Sequence, residues 1–141
     1  PPTEVTAWYA VDDSDSGNGC MRVIPRLHRD QLLEHGKSKQ DGNLLGIDQE
    51  LELDQHEEKH AVDCVLKAGE MSLHDGMLIH GSLPNRSARR RCGLSIRYIP
   101  ATVKPQDAGT SDRKWDWSPT SVRGTSEQEF FKLREHPFPL K

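Results

Sequence analysis

Residues 91–99 restrict the fold more than any other stretch. They read Arg-Cys-Gly-Leu-Ser-Ile-Arg-Tyr-Ile, an alternation that a β-strand turns into two unlike faces, because successive side chains point to opposite sides. Cys92, Leu94, Ile96 and Tyr98 form an apolar side. Arg91, Gly93, Ser95 and Arg97 form a small and cationic side. A strand packed on one face and lined with small residues and arginines on the other suits the wall of a ligand cavity. Just upstream, Met77-Leu78-Ile79 reads as a short strand ending in His80, and Pro84, Asn85 and Ser87 are turn formers. The expectation is a hairpin that sets His80 beside Arg91, since paired strands lie about 4.8 Å apart. A neutral imidazole can ligate a transition metal, and a guanidinium can grip a carboxylate through two parallel hydrogen bonds. A short dicarboxylate could then touch the metal with one end and the arginine with the other.

The remaining sequence is compatible with one modest domain. The 141 residues are 33% hydrophobic and strongly polar on average, which limits the core. A net charge of −3 predicts neither nucleic-acid nor membrane affinity. No apolar run approaches the roughly 20 residues of a membrane span. Cys20, Cys64 and Cys92 are far apart and form no CxxC pair, so they read as reduced thiols of a cytoplasmic protein. The start, Pro1-Pro2-Thr3-Glu4, lacks an initiator methionine and runs straight into a strand, as expected of a piece of a longer chain.

Val5 to Val11 alternates as a half-buried strand, and Cys20 to Pro25 returns as a second. Between them lies an acidic turn, Asp12 to Gly19. Its Asp13-x-Asp15 start resembles a calcium loop, but Asn18 and Ile24 stand where a glycine and a glutamate are required, so a solvated turn is expected. Arg29 to Gly36 could form a short helix, and Lys37 to Gly46 a polar loop. His56-Glu57-Glu58-Lys59-His60 matches the zinc-peptidase pattern HExxH, which works only on a helix with an apolar face. Its polar flanks argue instead for a charged turn between strands at Gln49–Leu53 and Ala61–Leu66. A turn at Lys67–Glu70 and a strand at Met71–His74 precede the central hairpin. Six or seven short strands with no strong helix between them indicate an antiparallel all-β fold. Residues 1–100 form its core in this reading. Residues 101–141 form a wrapping tail, with Trp115 and Trp117 as anchors and a short helix over Ser126–Arg134, which opens on an N-cap serine and ends before Pro137.

Gly69-Glu70, His74-Asp75-Gly76, His80-Gly81-Ser82, Pro84-Asn85, Ser87 and Arg91 together resemble the late signature of the phytanoyl-CoA dioxygenase family. The likeness extends to Trp8-Tyr9-Ala10-Val11-Asp12-Asp13, Asn18-Gly19-Cys20 and Val23-Ile24-Pro25. The resemblance implies a double-stranded β-helix, the cupin-type jelly roll, here N-terminally truncated. It also implies an Fe(II)- and 2-oxoglutarate-dependent dioxygenase acting with O2 on a small-molecule substrate. By resemblance His80 is the distal iron histidine, Arg91 clamps the far carboxylate of 2-oxoglutarate, Ser82 adds a hydrogen bond to it, and Trp8 lines its pocket. Trp8 also reads as an ordinary core anchor. Arg89 and Arg90 read as a solvated turn, because Arg91 alone shares its face with Gly93 and Ser95. His74 reads as a pocket residue rather than a ligand.

The chain departs from the family in two places. Pro25-Arg26-Leu27-His28 stands where Pro-Gly-Ser-His is usual. The family's first two iron ligands, a His-x-Asp pair, lie one strand before the tryptophan, and no histidine occurs among the seven residues before Trp8. One of three protein ligands is therefore expected on this chain, which predicts weak iron binding and no turnover. The alternatives are a non-catalytic cupin-like domain that binds a small carboxylate and, less in keeping with the flanks, the zinc peptidase.

Overall fold

A computed structural model describes residues 4–26, 58–103 and 118–124, the paired segments 36–37 and 49–50, and residues 131, 133, 134, 136 and 138. The elements are β1 (Val5–Ala10), β2 (Met21–Val23), β3 (Gly36–Lys37), β4 (Gln49–Glu50), β5 (Val62–Asp63), β6 (Met71–Asp75), β7 (His80–Ser82) and β8 (Gly93–Tyr98). They form two three-stranded antiparallel sheets, ordered β6-β1-β8 and β5-β2-β7, and a two-stranded pair, β3-β4. From β5 onward the strands alternate between the two larger sheets, as in a double-stranded β-helix, whereas β2 and β5 pair within one sheet. Residues 2–98 form one compact unit and residues 99–141, with Pro1, a second.

The first sheet has two chemically distinct faces. Directly opposite residues on paired strands share a face, and the register aligns Thr6 with His74 and Arg97, Trp8 with Ser72 and Ser95, and Ala10 with Gly93. This face is polar and small apart from Trp8. The other face joins Val5, Ala7 and Tyr9 to Leu73, Met71, Leu94, Ile96 and Tyr98. The alternation expected for residues 91–99 is therefore present, but its apolar side is not packed: Leu94 is 53% exposed, Ile96 37% and Tyr98 44%. The buried apolar side chains are instead Ala7, Ala10, Cys20, Met21, Ile24 and Ile79.

Several expected elements differ. Met77–Ile79 is not a strand, because Asp75 closes a turn: its carboxylate accepts from Met77 N at 2.8 Å and its carbonyl from Leu78 N at 3.0 Å. Strand pairing resumes only at His80. Of the expected hairpin of 49–53 with 61–66, residues 51–53 lie outside the described residues; where the arms are described, β4 pairs with β3 and β5 pairs with β2. The expected helix at Ser126–Arg134 is not helical where it is described. Phe131 lies in a bend and Arg134 bridges Thr120, and its N–H goes to Pro119 O at 3.0 Å, the donor a helical turn would need. Residues 29–35 and 38–46, His56, Glu57, Trp115 and Trp117 lie outside the described residues. Among those described, no helix is long and apolar enough to cross a membrane.

Candidate functional site

The acidic turn after β1 organises the site. Asn18 is fully buried in a short 3-10 turn, Ser16–Asn18, capped by Asp15. Its amide donates to Asp13 O at 2.8 Å and Arg90 O at 3.4 Å, and its carbonyl accepts from Asp15 N at 2.8 Å. Gly19 follows at φ 76°, and a Cβ there would meet Leu83 O at 2.5 Å, so only glycine lets this turn lie against the segment after β7.

The carboxylates of the turn then sort the arginine run. Asp15 accepts from Arg89 Nη1 and Nη2 at 2.9 and 2.7 Å. Asp12 accepts from Arg90 Nε and Nη2 at 2.8 and 2.9 Å and from Cys92 N at 2.9 Å. Asp13 holds Ala68 N at 2.9 Å and Lys67 Nζ at 3.1 Å. The Arg90 guanidinium holds the Asp12 carboxyl below its usual range. The Ala68 N–H, with Lys67, does the same for Asp13. The Arg89 guanidinium lowers Asp15 to about 2. This turn was expected to be solvated. Its pairing with the arginines was visible only as two complementary charge runs far apart in sequence.

Arg91 is treated differently from its neighbours. Among the described residues it has no ion pair. Its Nη1 donates to Ser82 Oγ at 3.3 Å, and its Cζ lies 5.9 Å from the Trp8 ring centroid, within cation–π range. Trp8, half-buried, lies across Gly93, where a Cβ would fall 2.5 Å from its Cε2 and 2.8 Å from its Cη2. Gly93 is thus part of the site: its missing side chain lets the indole lie on β8 beneath the guanidinium.

His80 enters from the facing sheet. The expected adjacency of His80 and Arg91 within one hairpin is not what forms, since β7 and β8 belong to different sheets. The segment between them crosses the sandwich, pinned by Asn85, whose amide donates to Arg89 O at 2.7 Å and whose carbonyl accepts from Ser87 N at 2.9 Å. Arg91 meets Ser82 across the gap, and Ser82 shares its face of β7 with His80. His80 Nδ1 lies 2.7 Å from Leu78 O. A carbonyl can only accept, so the proton sits on Nδ1 and Nε2 presents a lone pair, the state required of a metal ligand. The His74 ring lies 5.4 Å from that of His80, tilted by 50°. Among the described residues no three His, Cys, Asp or Glu side chains converge on a common point.

The charge-paired turn makes a pH prediction. Asp15 is held below its unfolded value, so its contribution is complete above that value and is lost as pH falls through the folded one. The Asp15–Arg89 pair will persist at pH 4 and dissolve as pH falls through about 2. Carboxyl-carbon NMR reads this directly, and an Asp15 midpoint near 3.8 would show that the pair does not form in solution.

Comparison with known proteins decides the family: residues 1–93 match the model of phytanoyl-CoA dioxygenase (PhyH). The chain belongs to the phytanoyl-CoA dioxygenase family. It is similar to the peroxisomal phytanoyl-CoA dioxygenase of Rattus norvegicus, with 31% identity over 124 residues, 88% of this chain and 32% of that protein. The phytanoyl-CoA dioxygenase of Arabidopsis thaliana is 32% identical over 96 residues, 65% of this chain and 31% of that protein. The chain thus spans about a third of the length of the curated relatives it matches. A solved non-heme monooxygenase, ThoJ in its apo form, superposes with a TM-score of 0.65 at 24% identity, over 96% of this chain and 44% of that one. That likeness supports the jelly-roll fold.

Proposed function

We propose that this chain supplies the distal iron histidine and the cosubstrate clamp of an Fe(II)- and 2-oxoglutarate-dependent dioxygenase that hydroxylates a small organic molecule with O2. The observation that supports this reading is a pair of prepared side chains linked through Ser82, which Arg91 meets and which shares a face of β7 with His80. His80 has Nδ1 tied to Leu78 O, and Arg91, unpaired with any described carboxylate, lies on Trp8 against Ser82. In this reading Arg91 grips the far carboxylate of 2-oxoglutarate, Ser82 steadies the guanidinium or the acid, and Trp8 excludes water from that pair. Bound iron would supply the oxidative chemistry. The fit to iron is partial, because His80 is the one prepared ligand among the described residues. Completion of the site requires two further ligands, which the family provides as His-x-Asp.

The test is anaerobic titration of the 141-residue chain with Fe(II) and 2-oxoglutarate, followed by exposure to O2. Weak Fe(II) binding that His80→Ala abolishes, 2-oxoglutarate binding that requires Arg91, and no succinate above background are expected. Robust succinate production would refute the dependence on further ligands. Binding of 2-oxoglutarate that ignores both Fe(II) and His80 would favour a carboxylate-binding domain without catalysis.

A further inference from the structure

His74 is a family motif residue to which the reading above gives no task. It stands on the Trp8 face of the first sheet, opposite Thr6 of β1. Its Nδ1 is buried with no hydrogen-bond partner. The other ring nitrogen, Nε2, is not shut away in this manner and has no hydrogen bond among the described residues. A neutral imidazole must place its one proton on one of these two atoms. A buried N–H without an acceptor is rarer in folded proteins than an unpaired acceptor, so the proton belongs on Nε2. In His80 the constraint is the reverse, because the Leu78 carbonyl fixes the proton on Nδ1.

We propose that the two neighbouring imidazoles hold opposite tautomers, so that His80 offers a lone pair to the metal while His74 offers an Nε2–H donor to an oxygen of the carboxylic acid bound beside it. The ligand assignment rests on the function proposed above; the tautomer assignment does not. Two histidines about 5 Å apart are thereby given unlike tasks: one ligates, and the other holds the ligand's oxygen. Burial of His74, reinforced by His80 and Arg97 and opposed by Glu4, disfavours its protonated form, consistent with a neutral ring. Ser72, two residues earlier on the same face, also has a buried, unpartnered Oγ, so this edge of the sheet holds more hydrogen-bonding capacity than the described residues use.

Two measurements test the proposal. Long-range ¹H–¹⁵N correlation on the labelled chain, free of metal and at pH 8, distinguishes protonated from bare ring nitrogens. The expected result is a protonated Nε2 in His74 and a protonated Nδ1 in His80. The same tautomer in both rings would overturn the assignment. The second measurement compares 2-oxoglutarate binding, with Zn(II) present, in the wild type, His74→Gln and His74→Asn. The glutamine amide reaches the place of Nε2 and the asparagine amide does not. Gln is expected to bind within about 3-fold of wild type and Asn about 10-fold more weakly. Equal loss in both, or none in Asn, would overturn the donor role. A wild-type chain that binds no 2-oxoglutarate would remove the ligand assignment together with the proposed function, while the NMR result would still decide the tautomers.

Discussion

Arg91→Met will weaken 2-oxoglutarate binding on the order of 100-fold, whereas Arg90→Met will leave binding near the wild-type value and lower stability instead. The contrast follows from how the three consecutive arginines are partnered. Arg89 and Arg90 each spend two guanidinium N–H groups on one carboxylate, Asp15 and Asp12 respectively. Arg91 has a single long hydrogen bond to Ser82 and rests on Trp8, so its fork is open to a carboxylate from outside. Arg91→Lys will recover only a small part of the loss, because an ammonium keeps the charge but not the paired donors. Calorimetric titration of 2-oxoglutarate into the variants, with chemical unfolding in parallel, separates the two effects. Equal loss of binding in the Arg90 and Arg91 variants would mean that the whole run acts as one diffuse positive patch, and the clamp assignment would fail.

Much of this arrangement was legible before any coordinates. The alternation of residues 91–99 gave the strand and its two faces, because the side-chain period of a strand is a local property. Pro84, Asn85 and Ser87 gave the turn, since Asx chemistry is local as well. What local pattern could not show is which strand pairs with which. His80 and Arg91, eleven positions apart with a turn between, look like the two arms of one hairpin, and only the sheet order places them on facing sheets. The partners of Gln49–Glu50 and Val62–Asp63, β3 and β2 rather than each other, were hidden for the same reason. The role of Asp12, Asp13 and Asp15 was missed because the partners that they hold in later strands and turns lie 54 to 80 residues away. The apolar face of β8 misled in a different way: the period was right, but alternation records which residues share a side and not whether that side is covered.

Gly93 supplies the second large expected effect. Substituting Gly93→Ala will destabilise the chain by about 1–3 kcal/mol and, in the same variant, reduce 2-oxoglutarate affinity. A methyl group at this position would sit 2.5 Å from Trp8 Cε2, far inside van der Waals contact, and neither strand can yield easily because β1 pairs with β8 from Val5 to Ala10. The indole must therefore swing off β8, and with it goes the surface on which Arg91 rests. A purely steric defect elsewhere in the sheet would cost stability alone. Here stability and binding are coupled through one ring, so trimming that ring should uncouple them. Trp8→Leu will weaken binding by itself, but adding Gly93→Ala to Trp8→Leu will cost much less stability than adding it to the wild type. A double-mutant cycle measured by urea unfolding gives that coupling energy directly. Additive costs in the cycle would show that the indole does not lie across Gly93, and the floor beneath the arginine clamp would have to be sought in other residues.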